Sequence, residues 1–233
     1  MKPAALSGAL AVALLPLPLL AADPAETLLF DGTSLDAWEF APGAWEIEED
    51  GSLACRMESS EGDDGTVKTR SMGYIWTKAD YGDFELSLSY KLSEGANSGV
   101  FYRVEKSDPV NLGCEVQLLD DAGYQKTHGP LDAKKLNGSF YEGKAPEADP
   151  AKPVGEWNTL VLKCVGPKMT CHINGVRVFE VDVDDWPEAG KNPDGTPNKF
   201  KVAIKDKPRT GRIGLQNHGQ VVWFKDIRVR LVE

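Results

Sequence analysis

Leu160-Val-Leu-Lys-Cys-Val-Gly-Pro-Lys-Met-Thr-Cys-His-Ile-Asn-Gly-Val-Arg-Val-Phe-Glu-Val181 decides the fold class. Apolar and polar residues alternate along it, and turn chemistry interrupts it twice. Asn174-Gly175 is the stronger interruption, because a two-residue hairpin turn needs positive φ at both central positions, which Asn and Gly accept at low cost. Strands are therefore expected at Trp157–Val165, Met169–Ile173 and Val176–Val181, joined as an antiparallel meander. With Pro167-Lys168 at the centre of the first turn, Cys164 would stand opposite Cys171, and a Cys164–Cys171 disulfide is the expected bridge. Cys55 and Cys114 are the remaining pair. An even cysteine count permits disulfides in an oxidising compartment, although spacing alone does not give connectivity. Neither spacing resembles a zinc site.

The same alternation recurs outward from this stretch. Ala44–Glu48 and Ser52–Arg56 flank an Asp50-Gly51 turn. In Phe84–Leu92, Phe84, Leu86, Leu88 and Tyr90 face one way while Glu85, Ser87 and Ser89 face the other. Gly99–Val104, Glu115–Leu119, Arg212–Gln216 and Val221–Leu231 read as further strands, whereas Glu58–Gly73 reads as a polar loop. Helical signals are nearly absent. Two packed sheets bury so many short half-apolar strands most simply, so an all-β, two-sheet antiparallel sandwich is expected. Three long connections stand out: Asp120–Glu156, Asp182–Lys199 and the stretch around Lys205–Arg209. Loops of this length in a compact domain commonly rim or cover a site.

The N-terminus reads as a leader. Met1-Lys2 is a short positive start, Ala9–Leu20 is almost wholly apolar, and Ala21-Ala22 suits a signal peptidase. A signal peptide over residues 1–22 and a single domain over 23–233 are expected, with a periplasmic or secreted location; an uncleaved membrane anchor is the alternative. The apolar run falls short of the roughly 20 residues a span needs. No second apolar segment follows, so no membrane partner is expected after cleavage. The chain carries 26 Lys and Arg against 36 Asp and Glu, a net charge of −10. Such a surface repels phosphate backbones and anionic lipid, which excludes nucleic acid as the expected partner.

Alternation also gathers candidate chemistry. In Glu115-Val-Gln-Leu-Leu119, Val116 and Leu118 would enter the core, leaving Glu115 and Gln117 on the opposite face. In Gly99-Val-Phe-Tyr-Arg103, Val100 and Tyr102 join the core set while Phe101 and Arg103 share the outer face. In Ile213–His218, Gln216 and His218 lie on the outer side. Arg103, Glu115, Gln117, Gln216 and His218 are thus expected to converge; a solvated face with an ordinary Arg–Glu ion pair is the plain alternative. A two-carboxylate glycosidase needs its carboxyls roughly 5–9.5 Å apart. Glu115 and Asp120 would lie about 17 Å apart along one strand at roughly 3.4 Å per residue, and point to opposite faces. His172 and His128 read as solvent-facing residues, and Trp45, Trp157 and Trp223 as core. Asp120-Asp121 reads as a turn cap, with a calcium site the lesser option.

Several motifs, in order, resemble a known family. They are Leu29-Phe-Asp-Gly-Thr-Ser-Leu-Asp-Ala-Trp38, Tyr81-Gly-Asp-Phe-Glu-Leu86, Gly95-Ala-Asn-Ser-Gly-Val-Phe-Tyr-Arg103 and Glu115-Val-Gln-Leu-Leu-Asp-Asp121, then Gly155-Glu-Trp-Asn158, His172-Ile-Asn-Gly175, Ile213-Gly-Leu-Gln-Asn-His-Gly219 and Phe224-Lys-Asp-Ile-Arg228. Together they resemble the 3-keto-disaccharide hydrolase family across essentially the whole chain after the leader. The resemblance implies a concanavalin A-like jelly roll and cleavage of glycosides already oxidised to a ketone at sugar carbon 3. That ketone acidifies the hydrogen on carbon 2, so a base can remove it and expel the aglycone from carbon 1. Such chemistry requires a base, a cation at the enolate oxygen and an acid for the leaving oxygen. His218, Glu115 and Arg103 are the expected catalytic residues, with Gln117, Gln216, Asn97, Tyr141 and Lys205 expected to hold the sugar. A divalent metal on His218 and Glu115 is a further option. A non-catalytic, lectin-like carbohydrate-binding module, or a surface adhesion domain, is the competing reading.

Overall fold

In the computed structural model, residues 26–61, 63, 65–105 and 113–232 are described; the expected leader lies outside the described residues. Among the described residues the strands run in the order β1 (Glu26–Phe30), β2 (Trp38–Glu39), β3 (Trp45–Ile47), β4 (Leu53–Cys55), β5 (Met57–Glu61), β6 (Val67–Ser71), β7 (Ile75–Thr77), β8 (Phe84–Leu92), β9 (Asn97–Val104), β10 (Cys114–Leu119), β11 (Asn158–Val165), β12 (Lys168–Ile173), β13 (Val176–Asp182), β14 (Arg212–Leu215) and β15 (Val222–Leu231). The larger sheet has the order β13-β12-β11-β8-β15-β4-β3, with β1 also on β15. The smaller sheet has the order β10-β9-β14-β7-β2. All pairings are antiparallel.

Strict alternation positions the core. In β8 every second residue is buried, and Leu86 and Leu88 stand opposite Leu162 and Leu160 of β11. From the smaller sheet come Val100, Tyr102, Val116, Leu118, Ile213 and Leu215. Each buried Leu or Phe contributes roughly 1.5–3 kcal/mol, so this shared layer holds the sheets face to face. The protein is an all-β jelly-roll sandwich of the concanavalin A-like class. Among the described residues, no helix is long and apolar enough to cross a membrane.

Some local expectations fail for identifiable reasons. Glu58–Gly73 is not a loop: β5 and β6 form a two-stranded ribbon, almost wholly exposed, so neither of its faces carries an apolar pattern. The long connection after β10 opens with a helix, α1 (Asp121–His128), capped by the Asp120 carboxylate on the Gly123 amide. The capping role expected of Asp120-Asp121 thus falls at the start of a helix instead of in a turn, and His128 stacks on Tyr124 while staying exposed, as expected. Trp45 is core, as expected. Trp157 and Trp223 are only half buried, with the Lys91 and Lys225 ammonium groups over their rings.

The expected Cys164–Cys171 disulfide is absent, as is a Cys55–Cys114 bridge: all four cysteines are free and buried. Asn174 and Gly175 take φ of 50° and 79°, so the second turn forms as expected. The first turn centres on Gly166-Pro167 instead, pairing Val165 with Lys168. This two-residue shift sets Cys164 opposite Met169 and Cys171 opposite Leu162. Burial also pushes the Cys164 and Cys171 thiols far above their ordinary pKa, which suppresses the reactive thiolate. Titration of the native protein with an aromatic disulfide reagent should detect fewer than one thiol, and all four after denaturation. Two thiols after non-reducing denaturation would show that a bridge exists.

Candidate active site

Glu115 and Gln117 project from β10 on the face away from the core, and yet are buried. The cause is the segment after α1. It pairs along the free edge of β10, with the Gln117 amide on Ser139 O, the Gly138 amide on Gln117 O and the Tyr141 amide on Glu115 O. This pairing brings the Tyr141 side chain into the same cavity as the carboxylate. On the neighbouring strand, Gly99 makes the room: a Cβ there would stand 2.2 Å from Glu115 Oε1.

The loop after β14 supplies the opposite wall. Asn217 is buried and donates to Arg56 O, while its carbonyl accepts from Ser71. That anchor fixes its neighbours. Gln216 donates to the Tyr74 hydroxyl at 2.8 Å, and His218 stands at the rim. Gln117 donates to Asn97 Oδ1 at 3.1 Å. The result is a cavity of about 180 Å³ lined by Glu115, Gln117, Gln216, His218, Asn97 and Tyr141, with Tyr74, Phe101 and Lys199. The first six of these are expected site residues, gathered in one hollow.

Lys199 was not signalled by the sequence. It sits in the long connection after β13, with no periodicity to mark it. Trp186 and Phe140 pack at 5.6 Å, Asn192 ties that connection to Glu142 O, and buried Lys207 ties it to Gly113 O. Lys199 Nζ thereby reaches 3.9 Å from Glu115 Oε2 and 4.2 Å from the Tyr141 ring centre.

Two expected residues are elsewhere. Arg103 has φ of 52°, and the β9–β14 register slips between Arg212 and Gly214, so alternation breaks at this point. Its guanidinium turns away and donates to Gly82 O, Gly166 O and Asp83 Oδ1, tying the entry of β8 to the β11–β12 turn. It is a structural clamp. Lys205 is exposed on a short 3₁₀ turn and lines no part of the cavity.

The electrostatics invert the usual proton distribution. Burial raises the Glu115 carboxyl to about 8, against the opposing pull of Lys199 and Lys207, so it is mostly protonated at neutral pH. Desolvation lowers the His218 imidazole from its ordinary value near 6.5, so it is mostly neutral. Burial lifts the Tyr141 phenol to about 12 and raises that of Tyr74, which keeps both as hydroxyls. Two titratable groups pushed in opposite directions mark an acid and a base. Gln216 Oε1 is buried without a hydrogen-bond partner. The donor set does not fit a divalent ion. Only His218 and Glu115 among the lining residues are ligand types, and the Lys199 charge stands beside the same carboxylate. Among the described residues, no three His, Cys, Asp or Glu side chains cluster as metal ligands.

Residues 25–230 match the family described as the 3-keto-alpha-glucoside-1,2-lyase-like domain. The chain belongs to that family. A 3-keto-disaccharide hydrolase of Bacteroides thetaiotaomicron is 25% identical over 88% of this chain and 78% of its own length. A candidate glycosyl hydrolase of Parabacteroides distasonis, solved at 2.00 Å, is 31% identical, with a TM-score of 0.76 over 89% of this chain and 99% of that one. The laminarinase catalytic domain of Thermotoga maritima shares only the fold, at 13% identity and a TM-score of 0.53 over 89% and 97% of the two chains. Among the described residues, Glu115 is the one carboxylate that lines the cavity.

Proposed function

We propose that this protein cleaves the glycosidic bond of 3-keto glycosides by elimination followed by hydration. The single observation that carries the reading is the cavity in which a protonated carboxyl, a neutral imidazole and an ammonium meet around the side-chain amides of Gln117 and Gln216. With one carboxylate, double displacement on an ordinary glycoside lacks its second carboxyl. The ketone removes that need.

His218 takes the proton from carbon 2, and the C–H electrons form an enolate toward the carbon-3 oxygen. Lys199 stabilises that oxygen, the role expected of Arg103 from sequence. Collapse of the enolate forms the C1–C2 double bond and breaks the C1–O bond. Glu115 delivers its proton to the departing oxygen. Water then adds at carbon 1 and a proton returns to carbon 2, giving the free 3-keto sugar. Asn97, Gln117, Gln216 and the phenols of Tyr74 and Tyr141 hold the sugar hydroxyls.

An acid–base pair in the hollow favours catalysis over a lectin, whose site would be an aromatic surface without ionisable partners. Export to the periplasm or exterior rests on the leader read in residues 1–22. Incubation with a 3-keto-glucoside should release aglycone, with and without chelator. Binding without release would leave the lectin reading in its place.

A further inference from the structure

A second cavity, of about 390 Å³, opens on the same sheet face and shares the Tyr74 wall with the first. Its chemistry is the reverse of its neighbour's. Phe40, Tyr74, Trp76 and Val104 line it, and its one charged pair, Arg212 with Glu39, is closed on itself at 2.7 Å. Trp76 forms the floor. Gly214 lies under that ring, where a Cβ would stand 2.2 Å from it, and Phe101 supports it edge-on at 5.8 Å between ring centres.

We infer that this second cavity receives the leaving group, and that it selects aryl, phenol-type aglycones over sugars. The inference rests on the glycoside-cleaving reading above. A sugar ring carries hydroxyls around its edge, and each desolvated hydroxyl needs a partner. The amides that supply such partners are all in the first cavity. The second offers aromatic faces instead, which pair with a planar ring by offset or edge contact. Size points the same way: ligand pockets run to roughly 300–1,000 Å³. The first cavity, at about 180 Å³, suits one ring, and the second leaves room for a larger substituent. The scissile bond then crosses the shared Tyr74 wall, with Glu115 and His218 on the sugar side.

Three substrates separate the outcomes: methyl, 4-methylphenyl and glucosyl 3-keto-glucosides, assayed with the wild type, Trp76→Ala and Ala41→Trp. Ala41 is exposed on the cavity rim, so a large ring there fills the space without disturbing the core. Both variants should lower kcat/KM for the aryl substrate about tenfold, the scale of one aromatic contact, and leave the methyl substrate within about twofold. Calorimetric binding of free 4-methylphenol should weaken to the same extent in both variants. An equal fall on all three substrates, a largest fall on the disaccharide, or unchanged phenol binding in Ala41→Trp would overturn the inference. A wild type that turns over none of the three, yet binds phenol in a manner lost in Ala41→Trp, would sink the glycoside reading while upholding this cavity as an aryl site.

Discussion

Replacing His218 with Ala should lower kcat on a 3-keto-glucoside by about two to four orders of magnitude, the range for loss of a positioned general base. The fold should be unaffected, because His218 is exposed at the rim and the loop is held by its neighbour Asn217. KM should change little, since the amides and phenols that hold the sugar remain. The pH profile tells the same story. The imidazole must be neutral to take a proton, so activity falls as pH drops through its pKa, which lies below 6.5. That acid limb should vanish in the variant. A His218→Ala protein that retains wild-type turnover would remove the base from the account.

Glu115→Gln should cost about two to three orders of magnitude in kcat/KM on a glycoside with a poor leaving group, since Gln keeps the shape but carries no transferable proton. The loss should shrink on a nitrophenol-type leaving group, which departs without protonation. Activity of the wild type requires the protonated carboxyl, so it falls as pH rises past about 8; the variant should lack that limb. The same substitution should stabilise the protein. The folded carboxyl titrates near 8 and the unfolded one near 4.5, so the wild type loses stability as pH rises between those values. At pH 7 the gain in Glu115→Gln should be on the order of 3 kcal/mol, read as a higher melting temperature, and near zero at pH 4. A residue that only packed the sheet would show the pH-dependent gain without the vanished limb.

The parts of this site that strands carry were legible from sequence. Glu115, Gln117 and Gln216 follow period-two alternation beside core residues, and the two-sided burial of β10 left that pattern intact; Asn97 came from the family resemblance. Arg103 obeyed the same rule on paper and broke it in space. A bulge and a positive φ at a non-glycine residue carry no clear signature in one sequence. Lys199 was illegible for another reason. Its place depends on Asn192, Trp186 and Lys207 anchoring a long connection, and such contacts leave no spacing to read. Tyr74 was hidden because β5 and β6 before it are polar on both faces and read as loop. The disulfide expectation failed by a two-residue register shift, since a Gly-Pro turn and a Pro-Lys turn are equally short and differ only in which residue takes positive φ.

The central claim is that the bond breaks through removal of the hydrogen on carbon 2, taken by His218 and answered by a proton from Glu115. The most direct measurement follows a 3-keto-glucoside labelled with deuterium at that carbon, reading label in water against aglycone released. The account predicts that deuterium passes to solvent with every bond cleaved, and that the matching unoxidised glucoside is left intact. Aglycone release with the label retained on the sugar, or equal cleavage of the unoxidised glucoside, would contradict it.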